Sequence, residues 1–247
     1  MKLCWRYQTL SRGLKSVLGC KFKMASPLDF NDPFDSASVA INMGETCGIE
    51  KGYSSVVAES LRGVHIGSTR LLCLSKNKGL SVNGDLLLWS HYADFGKGVR
   101  IGIDVDGLGY ELINMRYERN RPIVDLRGCS KEALSHVTSS QLNNVYGVKG
   151  HAWRYENEIR LCVMLNAITP GVEVSDLGEV FCKIPPSRYR YVDFGPKISI
   201  ESCLSAATTI LQREELRHIK FRRAVMDPNK FKYRYEIFEA QETMVYK

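Results

Sequence analysis

The sequence predicts an α+β fold with mainly antiparallel sheets around a ligand cleft, and three observations carry that expectation. Short apolar runs of strand length, some continuous and some alternating, recur along the whole chain. Helical patterns fall among them without the regular strand–helix–strand rhythm of a parallel sheet. One late segment, residues 153–165, reads as a strand with an acidic side that packing does not require.

In order along the chain, Leu3 to Gln8 reads as a strand, Arg12 to Leu18 as a helix stopped by Gly19, and Phe22 to Ala25 as a second strand. The Pro, Asn and Asp content of Ser26 to Asp35 marks an ordered turn. Gly52 to Arg62 has a helical pattern, and Thr69 to Ser75 is an apolar run suited to a buried strand. Gly79 to Gly84 reads as a turn, and Asp85 to Ala93 as a short helix capped by its Asp. Val99, Ile101 and Ile103 alternate with Arg100 and Gly102 in a strand over 98–104. Glu111 to Tyr117 looks like a strand paired with another near Ile123, and Lys131 to Tyr146 like a helix. Glu179 to Ile184 and the Tyr189 to Phe194 region suggest further strands, or a strand and a turn. A helix with Ala206, Ile210 and Leu211 on its apolar side is expected over 202–217, and a last strand over Lys230 to Ile237.

Read as a strand, the segment from Trp153 to Leu165 places Glu156, Glu158 and Arg160 on one face and Tyr155, Ile159, Leu161, Val163 and Leu165 on the other. Carboxylates about 7 Å apart repel, so one holds its proton more tightly, while the guanidinium favours ionisation of its neighbour. Such a pair suits acid/base work or stabilisation of a developing cation. The plainer alternative is a solvated strand face whose charges form a weak surface ladder.

The 247 residues suffice for a sizeable core, and no repeat, linker or low-complexity run divides them, so a single domain over 1–247 is expected. Eight cysteines are scattered without C-x-x-C spacing and read as reduced thiols. No metal-ligand set is recognisable, so no metal is expected. No segment has the length of a signal peptide or membrane span, which points to a cytoplasmic protein without membrane contact.

A formal net charge of +7 favours polyanionic partners. The excess is concentrated between Arg213 and Arg234, where Arg217, Lys220, Arg222, Arg223, Lys230 and Lys232 are interleaved with Phe221, Phe231, Tyr233 and Tyr235. Basic residues mixed with aromatics can hold phosphates and stack bases. The alternative is a solvated helix face followed by an edge strand that uses lysines to deter aggregation.

Between Leu86 and Asp94 the chain places Ser90, His91 and Tyr92 beside an apolar run, which can line a pocket with a hydroxyl, an imidazole and an aromatic face. A helix end with a satisfied core histidine explains the same residues. No nucleophile-elbow, phosphate-loop or dinucleotide-binding glycine pattern is present.

Four blocks together resemble one bacterial family filed as a domain of unknown function. They are Trp5-Arg6-Tyr7, the Ser26 to Asp35 turn ending in Asn-Asp-Pro-Phe-Asp, the Trp-Ser-His-Tyr-Ala-Asp block at 89–94 with Lys97-Gly98-Val99, and Trp153 to Arg160. The resemblance spans about residues 3–240. That family is similar in layout to ADP-ribosyltransferases, which implies an ADP-ribosyltransferase-like fold with NAD as co-substrate. Arg6 then matches the first-strand position, Ser75 or Ser90 the middle one, and Glu156-Asn157-Glu158 the last. The resemblance implies that Glu158 stabilises the oxocarbenium charge as the nicotinamide–ribose bond breaks. Glu156 then orients or deprotonates the incoming nucleophile. Arg6 clamps NAD, with Arg160, His91 and Tyr92 also in the cofactor site. A nucleic-acid acceptor, an inhibitory antitoxin partner and a role as the toxin of a toxin–antitoxin or anti-phage system complete the expectation. A non-catalytic nucleic-acid-binding protein and an NAD or nucleotide glycohydrolase are the rivals.

Overall fold

The protein is described by a computed structural model over residues 1–35, 40–42, 67–76, 82–120, 123–125, 146–165 and 169–239. The helix expected over 52–62, and nearly all of that over 131–146, lie outside the described residues. The chain begins with β1 (Leu3–Gln8), α1 (Leu10–Leu18), β2 (Lys21–Lys23), β3 (Ala40–Asn42) and β4 (Thr69–Lys76). It continues through α2 (Val82–Tyr92), β5 (Val99–Asp104), β6 (Glu111–Asn114), β7 (Arg116–Glu118), β8 (Ile123–Asp125) and β9 (Val148–Gly150). Then follow β10 (Glu158–Met164), β11 (Val172–Val174), β12 (Val180–Lys183), β13 (Tyr189–Phe194), α3 (Ile200–Leu211), β14 (Lys220–Met226) and β15 (Tyr233–Ile237).

The expected α+β composition is present, and the dominant feature is one eight-stranded sheet in the order β15-β14-β13-β5-β1-β4-β10-β6. All its pairings are antiparallel except β13 with β14. α1 starts on a Thr9 side-chain cap and α3 on a Ser199 cap, each hydroxyl accepting an otherwise unpaired N–H of the first turn.

Alternation sorts the strand residues into two clusters. Cys4, Leu72, Leu74, Ile101, Ile103, Ile159, Leu161 and Val163 join Val17 of α1 and Ala206 and Ile210 of α3 in the main core. Burying each large aliphatic side chain contributes about 1.5–3 kcal/mol. Trp5 and Tyr7, alternate residues of β1, instead meet Leu88 and Trp89 of α2 in a second cluster. That second layer is tied by polar bonds. The Tyr7 hydroxyl donates to Asp85 Oδ1 (2.6 Å), Trp89 Nε1 donates to the Tyr235 hydroxyl (2.9 Å), and Arg100 bonds Asp85 and Asp193.

Several local expectations are corrected. α2 begins at Val82, so part of the expected turn over 79–84 is helical, and Asp85 is an acceptor inside the helix rather than its cap. The strand near Ile123 pairs in parallel with β3, whereas β6 pairs with β10. α3 ends at Leu211, with a separate 3-10 turn at Glu214–Leu216, and the last strand starts at Tyr233. β5 is buried at all six positions, including Arg100, because its charge is paired with Asp85 and Asp193. The described cysteines are free thiols.

Candidate active site

β1 pairs with β5 along its whole length but with β4 only at Cys4–Lys76 and Trp5–Ser75. Beyond Trp5 the β1–β4 ladder stops, although β4 goes on pairing with β10 as far as Thr69. A cavity of about 380 Å3 is lined from both sides of this interruption, by Trp5, Arg6 and Tyr7 of β1 and by Cys73, Leu74 and Ser75 of β4. Arg6 reaches across it, Nη1 donating to the Cys73 carbonyl at 2.7 Å, while its buried Nε has no hydrogen-bond partner.

The acidic pair enters this cavity by a route that simple alternation misses. Residues His151–Glu156 form a 3-10 turn, Asn157 adopts the left-handed conformation (φ 44°), and β10 starts only at Glu158. Asparagine tolerates that backbone region better than most residues. The bend is held by Asn157 O accepting from Lys76 N (2.9 Å) and by Asn157 Nδ2 donating to Lys76 O (3.3 Å). Glu156 therefore precedes the strand, and Tyr155 bonds His91 rather than joining an apolar strand face. Leu165 lies just past the strand and is 38% exposed. Both glutamates nevertheless line the cavity, each only 4% exposed, so the solvated-ladder alternative is ruled out.

Burial of these charges is possible because each is answered. Lys149 Nζ, on β9, lies 2.6 Å from Glu156 Oε2, 3.3 Å from Glu158 Oε2 and 3.6 Å from Asp35 Oδ2. Arg160 donates from Nε to Glu158 Oε1 (2.7 Å) and through Nη1 and Nη2 to both oxygens of Asp35 (2.9 and 2.5 Å). Asp35 is delivered by the Asn31 to Asp35 turn, where Asp32 Oδ1 accepts the N–H of Phe34 at 2.9 Å. The Glu158 N–H is taken by the Tyr117 hydroxyl at 2.7 Å.

The two carboxylates are shifted in opposite directions. Burial by itself would raise Glu158, but Arg160 and Lys149 overcome it and bring its pKa down to about 2. Burial raises Glu156 above the ordinary carboxylate value, the Glu158 charge adds to the rise, and Lys149 only partly offsets them. Burial and the nearby Glu156 charge also raise the Tyr92 phenol, which stays protonated and donates to Glu156 Oε1 at 2.5 Å. Lys149 is kept charged against its own desolvation by the surrounding carboxylates.

Of the residues singled out from the sequence, Arg6, Ser75, His91, Tyr92, Glu156, Glu158 and Arg160 line this one cavity. Ser75 Oγ donates to the Glu156 carbonyl at 2.6 Å, whereas Ser90 is exposed and outside the lining. Arg160 is committed to Asp35, Glu158 and the Tyr146 carbonyl. Lys149, Asp35 and Tyr117 also contact the site's charged residues and backbone, and the sequence pattern alone does not assign them there. Asp35 sits in the conspicuous Asn-Asp-Pro-Phe-Asp turn, but nothing in Val148-Lys149-Gly150 sets its lysine apart from a surface one.

The basic residues of the C-terminal region differ in their partners. Arg222 bonds Asp193 twice (2.7 and 2.8 Å), while its neighbour Arg223 donates to the Ile198 carbonyl. Arg217 donates to Leu211 O, Lys232 lies 3.8 Å from Asp227, and Lys220 and Lys230 are exposed. Among the described residues no cluster of His, Cys, Asp and Glu is arranged to hold a metal, and no helix is long and apolar enough to cross a membrane.

Residues 88–161 match a family described as "Protein of unknown function (DUF2971)". The matched segment runs from α2 into β10 and includes His91, Tyr92, Lys149, Glu156, Glu158 and Arg160, whereas Arg6, Asp35 and Ser75 precede it. The cavity is thus walled by the DUF2971 segment on one side and by the N-terminal strands on the other. No curated protein and no solved structure matches the chain.

Proposed function

We propose that this protein is an NAD-dependent ADP-ribosyltransferase acting on a macromolecular acceptor, with RNA the favoured one. The observation that carries the reading is the pairing of Glu156 and Glu158, whose pKa values are shifted in opposite directions, on the wall of a cavity that also holds Arg6. Neighbouring carboxylates pushed apart in this way divide acid/base work from charge stabilisation. The cavity volume, about 380 Å3, falls within the range of small-molecule sites, and aromatic walls with a few convergent polar groups suit a nucleotide.

In this reading Glu158 stays ionised and stabilises positive charge at the ribose anomeric carbon. The carbon–nitrogen bond to nicotinamide breaks and its electron pair leaves on the ring nitrogen. A lone pair of the acceptor forms the new bond to that carbon, and the acceptor's proton passes to Glu156. Tyr92 orients Glu156, Ser75 fixes the backbone of the Glu156 turn, and Arg6 contacts a phosphate or ribose oxygen. The net charge of +7 favours a polyanionic acceptor. On the sequence resemblance alone, such an activity suits a toxin restrained by an inhibitory partner.

The test is incubation with NAD labelled in its adenylate part and mixed cellular RNA, DNA and protein, followed by nuclease or protease digestion. Nuclease-sensitive label supports the proposal. Free ADP-ribose alone assigns a glycohydrolase, and inert NAD removes the enzyme reading.

A further inference from the structure

We propose that a second cavity beside Lys149 is the acceptor site and seats a base of single-stranded nucleic acid; this rests on the transferase reading above. The cavity measures about 490 Å3 and meets the first at Lys149, which lines both. A single 3-10 turn serves the two spaces. Its first residues, His151, Ala152 and Trp153, line the second cavity, while its last, Glu156, lines the first. Glu156 is the group assigned to take the acceptor's proton, so the acceptor is expected on the side from which this turn is approached.

The lining names the ligand class. Phe34, 57% exposed, and Trp153, half-buried, both line the cavity, so two aromatic side chains border the space a flat ring would enter. Trp153 is held in place, with Lys149 Nζ 4.8 Å from its ring centroid and the Tyr155 ring 6.0 Å away. Aromatic side chains beside cations are how proteins hold single strands without reading sequence. The Lys149 ammonium is already committed to carboxylates, so cationic contact falls to Arg119, exposed on the lining, and to Arg154, exposed beside it with Nη1 3.4 Å from His151 Nε2. Of the acids, Asp32 is buried and bonded to the Phe34 N–H, which leaves Glu118 exposed. A basic protein side chain finds little acidic complement here. A phosphate-linked base finds both stacking and charge.

Two variants, Arg119→Glu and Trp153→Ala, are compared with Lys230→Ala/Lys232→Ala. Affinity is read by anisotropy of a short fluorescent single-stranded RNA, transfer by label reaching that RNA, and NAD cleavage without acceptor as the reference. Arg119→Glu and Trp153→Ala are each expected to weaken RNA binding and transfer by about tenfold or more, the loss expected for one base stack or phosphate contact. Arg119→Glu keeps acceptor-free NAD cleavage within about twofold, and the double lysine variant keeps RNA affinity within about twofold. Unchanged RNA affinity in both cavity variants overturns the site, as does label that enters only protein. If the wild type leaves NAD intact, the transferase reading fails. The anisotropy comparison still decides the cavity: selective loss in the two variants supports a nucleic-acid site, and equal affinity removes it.

Discussion

Asp35 and Arg160 stand 125 positions apart and meet through two parallel hydrogen bonds, with almost no exposure of either side chain. A carboxylate and a guanidinium are costly to bury singly and tolerable only as a bonded pair. This clamp fixes Arg160, and Arg160 in turn fixes Glu158. Asp35→Ala is therefore expected to destabilise the fold by about 3–5 kcal/mol in urea denaturation, the cost of leaving a buried cation short of its partner. A loss below about 1 kcal/mol contradicts the clamp.

Glu158→Gln is expected to lower NAD cleavage by roughly 10²–10³-fold, the usual cost of one charge-stabilising group. It also changes acid stability in a defined window. The folded-state pKa of Glu158, about 2, lies below its ordinary 4.5. Its contribution to stability is complete above about pH 4.5 and is lost as pH falls toward 2. Unfolding free energy measured across that window falls less steeply in the variant than in the wild type; parallel curves mean that Glu158 is not the paired group.

Tyr92→Phe removes a hydrogen bond that favours ionised Glu156. The Glu156 pKa then rises further. Because Glu156 acts as a base in the proposed reaction, the acidic limb of the kcat/KM–pH profile moves to higher pH. A profile that only drops in height assigns Tyr92 to binding rather than to tuning Glu156.

Gly102 lies directly under Trp5, one of the residues lining the cleft. A Cβ at position 102 would come within 2.7 Å of Trp5 Cζ3 and 3.0 Å of Cη2. The indole has little room to yield, since Arg100 covers it at 4.2 Å. Gly102→Ala is expected to cost about 1–3 kcal/mol and several degrees in Tm by calorimetry. An unchanged Tm means that the indole shifts freely.

Arg222 shows what a count of charges in a sequence leaves open. Its run of basic and aromatic neighbours reads as a nucleic-acid footprint, yet the side chain is spent on fully buried Asp193. A charge run tells how many cations are present but not which carboxylates fold back onto them. Lys149 is the reverse case, an inconspicuous lysine that becomes central because β9, paired with β7 beside Tyr117, carries it to three carboxylates.

By itself the sequence determined the strands that form the centre of the sheet and the residues on each side of them. Period-two alternation in β1, β5 and β10 and the continuous apolar run of β4 are local properties, as is the turn chemistry around Asp32. Tertiary structure alone decided that the acidic side of Glu158 and Arg160 is buried, that Asn157 bends Glu156 into the same cavity, and that β1 and β4 stop pairing where the cavity begins. Alternation specifies a face but not what covers it. A charged face can be covered only when partners such as Asp35 and Lys149 arrive from distant parts of the chain.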